Sequence, residues 1–271
     1  MRAPRPATQA RTSGNAAAPR LGRRHLLLAA ASLCASPRVA RAFGEEGAFN
    51  PRILLTGTDE WRGARTTAPA RWSEELMRRT SAPARLSPTT VRADDPALLA
   101  EPFVVWASHK DPDPLSRREV RGLRQFIALG GLLLCDDFEP ERGAFARGAK
   151  REITRVLPDA SPIEIGPENV IFRSFYLLRR AIGRIEGTPK LEAIVRGGAV
   201  QVILTAHDLL GALARGAGGV ETIDVVPGGA RQRELAIRLA VNIAMYLLCS
   251  NYKDDQVHAP FLMRRRALGQ P

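Results

Sequence analysis

Among the acids and histidines of this sequence, six follow the expected strands at their carboxyl ends, where acid–base or metal chemistry could use them: Asp59, His109, Asp136, Asp137, His207 and Asp208. Carboxylates with imidazole can hold a divalent cation, because oxygen and nitrogen are its donors, and the same groups bind sugar hydroxyls or amines. Asp136, Asp137 and His109 are the candidates for a metal, while Asp59, His207 and Asp208 extend the set for another ligand. A plainer reading stands beside this one. In it Asp136 caps neighbouring backbone amides, Asp137 pairs with Arg142 or Arg147 at the surface, and Asp208 is the N-cap of a helix. The residue types alone leave both open.

The elements that must position these residues are clearest around 123–138, LRQFIALGGLLLCDDF. A helix ends at Gly130-Gly131, since glycine accepts the left-handed conformation that closes a helix. The apolar run 132–135 then fits a strand covered on both faces, with Asp136 and Asp137 at its far end. Upstream, 103–107 (FVVWA) predicts a strand leading to Ser108-His109, and Ser116 with Glu119 makes a capping box for the helix between the two strands. Strand, helix, strand in that order makes the strands parallel neighbours through a right-handed crossover. Their carboxyl ends then meet, with His109 within reach of Asp136 and Asp137. In open α/β sheets ligands bind beyond that edge.

The other elements are read by the same rules. Residues 52–57 (RILLTG) predict a strand with Asp59 and Trp61 in the loop after it, and 70–80 an amphipathic helix with Trp72, Leu76 and Arg79 on one face. Both tryptophans are expected as packing anchors. Leu86 falls in an expected second strand, and a short helical turn follows at 97–100. Residues 139–148 read as a loop, 149–157 as a helix stopped by Pro158, and 163–165 and 170–172 as short extended pieces; 176–184 is irregular or helical. Residues 191–195 and 200–205 predict a hairpin about Gly197-Gly198. The final helix, 231–249, is interrupted by Arg238 and is no membrane span. Asn242 on its apolar face is expected to bond to backbone, and His258 beyond it to be solvated. Cys135 and Cys249 are expected as two buried thiols, with a single disulfide as the alternative, and their spacing matches no zinc motif.

The formal charge of +12 on 271 residues would suggest nucleic acid or an anionic surface. Eight arginines and no acid fall in residues 1–42, so the remaining 229 carry only +4. No basic stripe with interleaved aromatics survives there, which argues against nucleic acid. The first 42 residues have the parts of a cleaved export signal: a basic start, an apolar segment at 26–35, and Ala40-Arg41-Ala42 as a small-x-small cleavage point. The apolar segment is short of the roughly 20 residues a bilayer needs. Arg23-Arg24 before it resembles the twin-arginine signal. Cys34 follows Leu33, where a lipoprotein site wants a small residue. The expected organisation is therefore an export signal at 1–42, one α/β domain at 43–265 and a disordered tail at 266–271, with a periplasmic or otherwise extracytoplasmic location after cleavage near Ala42.

The ordered segments LRQFIALGGLLLCDDF, ENVIFRSFYLL, VILTAHDLL and RLAVNIAMYLLCSNYKDD resemble the bacterial domain of unknown function 4159 family over almost all of the chain after the leader. The resemblance implies a flavodoxin-like three-layer α/β/α sandwich with a mostly parallel central sheet, similar to the class I glutamine amidotransferase and trehalose-utilisation-protein group. It implies no established reaction. The amidotransferase nucleophile sits in G-x-C-x-G, whereas Cys135 stands between Leu134 and Asp136, next to carboxylates that raise a thiol pKa. Members often carry His in an Asp-His-Pro-Ile-Phe-like segment where this chain has Glu168-Asn169-Val170-Ile171-Phe172. The expected function is a non-catalytic module that binds a small ligand or a periplasmic partner protein. The alternative is a metal-assisted or carboxylate-based hydrolase using Asp136, Asp137 and His109, with a divalent metal as cofactor.

Overall fold

A computed structural model describes the backbone of residues 47–267 and the side chains as far as Ser250, Ala217 excepted. The expected leader, with Arg23, Arg24 and Cys34, and the side chain of His258 lie outside the described residues.

Seven strands form one mostly parallel sheet in the order β2-β1-β3-β4-β7-β6-β5. They are β1 (Arg52–Leu55), β2 (Thr90–Arg92), β3 (Phe103–Ser108), β4 (Leu132–Asp137), β5 (Ile163–Ile165), β6 (Leu191–Arg196) and β7 (Ala199–Thr205). The five from β2 to β7 are parallel, while β6 runs antiparallel to β7 and β5 to β6. The helices are α1 (Ala68–Thr80), α2 (Arg117–Ala128), α3 (Ala144–Val156), α4 (Leu209–Leu213) and α5 (Gly229–Ala267). No helix among the described residues is long and apolar enough to cross a membrane.

Successive strand residues point to opposite faces, and each face has its own core. Ile53, Val105, Leu134 and Ile203 join Trp72 and Leu76 of α1 and Leu239 and Ile243 of α5. Leu54, Val104, Leu133 and Val202 join Leu123 and Phe126 of α2 and Phe145 and Ile153 of α3. Burial on both faces is why the central strands carry unbroken apolar runs. Trp72 is an anchor as expected, fully buried with its indole N–H donating to the Ala240 carbonyl at 2.9 Å. Trp61 packs partly buried against the same core. Arg79 bridges α1 and α5, donating to both oxygens of Glu234 at 2.8 and 2.7 Å, and this holds the Glu234 carboxyl down at about 2.

Several elements form as their local signals require. Ser116 accepts from the Glu119 N–H at 3.2 Å and Glu119 accepts from the Ser116 N–H at 2.7 Å, the capping box at the start of α2. The second Glu119 oxygen accepts from the Gly57 N–H at 2.7 Å, tying that helix to the end of β1. Gly130 has φ 89°, and a Cβ on Gly131 would meet the Phe126 ring at 2.5 Å, so the pair both reverses the chain and admits the ring. The hairpin of β6 and β7 turns through Gly197 and Gly198, both at positive φ.

Other expectations need correction. The second strand is Thr90–Arg92, and Leu86 is exposed outside it, because Pro88 has no N–H to give a ladder and pairing begins beyond it with Ile53 opposite Thr90. Residues 170–172 are not extended: Asn169 accepts from the Ile171 N–H at 3.0 Å and winds Val170–Arg173 into a 3-10 turn. Helix α3 starts at Ala144 instead of 149, and α5 continues past 249 to Ala267. Cys135 is a buried free thiol as expected, but Cys249 is free and exposed, since burial along α5 ends at Leu248.

Candidate functional site

Strand β4 does not stop at Cys135. Its ladder continues with Asp136 opposite Ala107 and Asp137 opposite Ser108, so both aspartates are strand residues, and both are buried. Burying a carboxylate is costly unless donors replace water, and here backbone amides do so. Asp136 accepts from the Leu209 N–H at 2.9 Å and the Leu210 N–H at 2.8 Å, the opening amides of α4. Asp137 accepts from the Glu139 N–H at 2.9 Å and the Ala146 N–H at 3.0 Å, the latter in the first turn of α3. Each carboxylate therefore finishes a helix N-terminus on its own face of the sheet.

This corrects the expected surface pairing of Asp137. Arg142 instead pairs with Glu139 at 3.2 Å, and Arg147 donates to the Arg142 carbonyl at 2.8 Å. The reason is that Gly143 precedes α3 with no side chain to cap it, so the cap comes from Asp137 six residues upstream. His109 is exposed one residue beyond β3, while the two carboxylates turn into the faces of the sheet, so the three do not converge. Asp59 is exposed and accepts the Thr56 hydroxyl at 3.2 Å. Among the described residues no group of three or more His, Cys, Asp or Glu is placed to hold a metal.

Asp208 is the N-cap of α4, as its position suggests, accepting from the Gly211 N–H at 2.9 Å. It does more than cap. Fully buried and left-handed at φ 51°, it receives Arg65 through Nε at 2.8 Å and Nη2 at 2.5 Å, and Arg184 through its Nε. The Arg65 guanidinium also lies 4.2 Å from the centroid of the Phe138 ring, and Arg184 donates to the Phe138 carbonyl at 3.3 Å. Burial pushes the Asp136 carboxyl well above its usual range and the nearby Asp208 adds to this, against the pull of the two α4 amides. Burial works against the charge of Arg65 as well, but its hydrogen bonds to Asp208 together with the attraction of Asp208, Asp136 and Glu139 outweigh it and raise its pKa. Sequence reasoning missed Arg65 and Arg184. Both lie in irregular segments whose local pattern carries no sign of a carboxylate partner 143 or 24 residues away.

His207 is buried between Thr205 and the chain at Thr188. Its Nε2 is 2.8 Å from the Thr188 carbonyl, which can only accept, so Nε2 carries the proton and Nδ1 accepts from the Thr205 hydroxyl at 3.0 Å. Burial lowers its pKa and keeps the ring neutral. Asn242 bonds to backbone as expected, taking the Phe175 and Tyr176 N–H groups at 3.3 and 2.7 Å and donating to the Tyr176 carbonyl at 2.9 Å.

Beside Asp137 and His207 a cavity of about 170 Å³ opens at the carboxyl ends of β4 and β7, between the hairpin and α3. Cys135, Phe145 and Leu204 supply apolar wall, and Lys150, Lys190 and His207 stand in its polar part. Lys150 pairs with Glu192 at 2.5 Å and Lys190 with Glu164 at 2.9 Å. Burial first, and then Asp136, push the Cys135 thiol far above its usual range, so no thiolate nucleophile is available at this wall. Residues 52–248 match the family model described as "Domain of unknown function (DUF4159)". No curated protein matches the chain.

Proposed function

The chain belongs to the DUF4159 family of domains of unknown function, and on that premise we propose that it is an exported, non-catalytic binding module. Its ligand or partner engages the cavity at the carboxyl ends of β4 and β7. The observation that carries this reading is that the carboxylates best placed for chemistry are already committed. Both oxygens of Asp136 and of Asp137 accept backbone N–H groups, and Asp208 accepts Arg65, Arg184 and the Gly211 amide. The cavity next to them stays open at the edge where α/β sheets take ligands. Hydrolysis assisted by a metal on Asp136, Asp137 and His109 would need those groups to turn toward one point, against four backbone hydrogen bonds.

We take the fold as flavodoxin-like, a three-layer sandwich of the class I glutamine amidotransferase-like kind. The parallel order β2-β1-β3-β4-β7, with helical cores on both faces, supports this. The amidotransferase reaction is not part of the proposal, because Cys135 is buried inside a strand with no glycine on either side.

The test is ligand-dependent thermal stability of the purified protein across divalent metals, sugars, amines and peptidoglycan fragments. A ligand of the cavity raises Tm in the wild type and not in Ala206→Trp, whose side chain fills the space. A rise with divalent metal that Asp137→Asn abolishes would overturn the reading. The export part has its own test: replacing Arg23 and Arg24 together by Lys leaves the protein unprocessed in the cytoplasm, and normal processing of that variant removes the twin-arginine assignment.

A further inference from the structure

Residues 170–179, VIFRSFYLLR, are divided between two environments. Ile171, Phe172 and Leu178 are buried in the core with α1 and α5, while Val170, Phe175 and Leu177 are 48, 44 and 87% exposed. The exposed three are not on a loose segment. The Leu178 N–H donates to the Phe172 carbonyl at 2.8 Å and closes the loop, and the Ser174 hydroxyl donates to the Val170 carbonyl at 2.8 Å. From inside, the fully buried Asn242 amide holds the backbone of Phe175 and Tyr176 with three hydrogen bonds. A buried polar group on an apolar helix face thus fixes a loop whose tip presents apolar side chains to water. Scattered exposed apolar residues are ordinary, but three on one closed and clamped loop need a partner.

The charge around the loop identifies the partner's chemistry. Between Asn169 and Ile185 there is no acidic residue, and there are four arginines. Arg184 serves Asp208 and Arg180 pairs with Glu186 at 2.7 Å. Arg173 donates to the Glu168 carbonyl at 2.6 Å and lies near enough to its carboxylate to lower that group's pKa, while Arg179 is exposed; neither is in an ion pair among the described residues. Three side chains offer on the order of a few hundred Å², short of the roughly 800 Å² per partner of a stable protein interface. Apolar side chains flanked by arginines fit the boundary of a bilayer, with the side chains in the acyl region and guanidinium groups at the phosphates. The geometry points to the 170–179 loop as a peripheral docking site for the surface of an anionic lipid membrane.

The experiment uses the full chain, and the emission of the wild type, which carries Trp61, Trp72 and Trp106, is subtracted so that only the added indole is read. Leu177→Trp, excited in the presence of phosphatidylglycerol/phosphatidylethanolamine vesicles, shifts its emission to the blue relative to the same protein without vesicles, and phosphatidylcholine vesicles give a much smaller shift. Leu177→Ser weakens flotation with the anionic vesicles roughly tenfold, and Arg173→Ser and Arg179→Ser about fivefold each. Each variant keeps the wild-type Tm, since none of these side chains is in the core. An emission of Leu177→Trp that anionic vesicles leave unchanged overturns the inference, as does equal binding to neutral vesicles. If the wild type self-associates in sedimentation equilibrium, Leu177→Ser abolishes that, and vesicles have no effect, the loop belongs to a second copy and the membrane is excluded.

Discussion

Asp136 and Asp208 share the N-terminus of one five-residue helix: Asp136 takes the amides of Leu209 and Leu210 and Asp208 takes that of Gly211. Two strand ends that are distant in the chain are thereby joined through α4. Asp136→Asn keeps one acceptor and turns an NH₂ group toward the other amide. Leaving a buried donor unmet costs about 1 to 3 kcal/mol, readable by denaturant unfolding. Because burial and Asp208 already disfavour the charge of Asp136, a gain in stability would not by itself point to a cation; only a thermal shift with divalent metal that the variant loses would restore the metal reading.

Removing Asp208 should cost more. Asp208→Ala deletes the cap and leaves Arg65 and Arg184 without their carboxylate, and it puts alanine at φ 51°. Breaking a buried ion pair from one side costs roughly 3 to 5 kcal/mol. Arg65→Ala should cost less, because Arg184 stays on Asp208. Equal Tm losses for the two variants would mean that the second arginine contributes nothing.

The pH dependence has two opposed parts. Burial depresses the pKa of His207, so as pH falls below about 6.5 the unfolded chain takes up a proton before the folded one does. Its contribution is complete above that pH and is lost on acidification. Asp136 is shifted upward, so its contribution is present below about 4 and lost as pH rises toward its folded value. Thermal melts between pH 7 and 5 should show wild-type stability falling more steeply than that of His207→Gln; parallel curves would contradict a neutral buried ring.

Leu133 lies in mid-strand at the centre of the sheet and is buried. Leu133→Ala should cost about 2 to 5 kcal/mol through lost burial and the cavity left behind. A loss below about 1 kcal/mol would not fit a central position.

What the sequence discloses here depends on how far apart the interacting groups are. The Ser116 and Glu119 box, the Gly130 reversal and the Gly197-Gly198 hairpin each depend on residues a few positions apart, and each forms where the local pattern predicts. Parallel pairing of β3 with β4 follows from the order of elements alone. The start of α3 was hidden because its cap is Asp137, on a strand instead of at the helix entry. The strand character of Asp136 and Asp137 was hidden for the same reason: their amide donors come from α3, α4 and a turn, and without those donors two adjacent carboxylates read as a strand's exposed end. Arg65 was beyond reach, since a bond across 143 residues leaves no trace in composition or spacing.

The two strands at the margins of the sheet, Thr90–Arg92 and Ile163–Ile165, are three residues each, and both carry charge, Arg92 on one and Glu164 on the other. A sheet with long apolar inner strands is a template for runaway addition of foreign strands if its last rung is long and bare. Here the rungs run out after three residues and a charge interrupts them. Short, charged margins disfavour the addition of foreign strands, and the apolar runs at 103–108 and 132–135 are kept in the interior of the sheet.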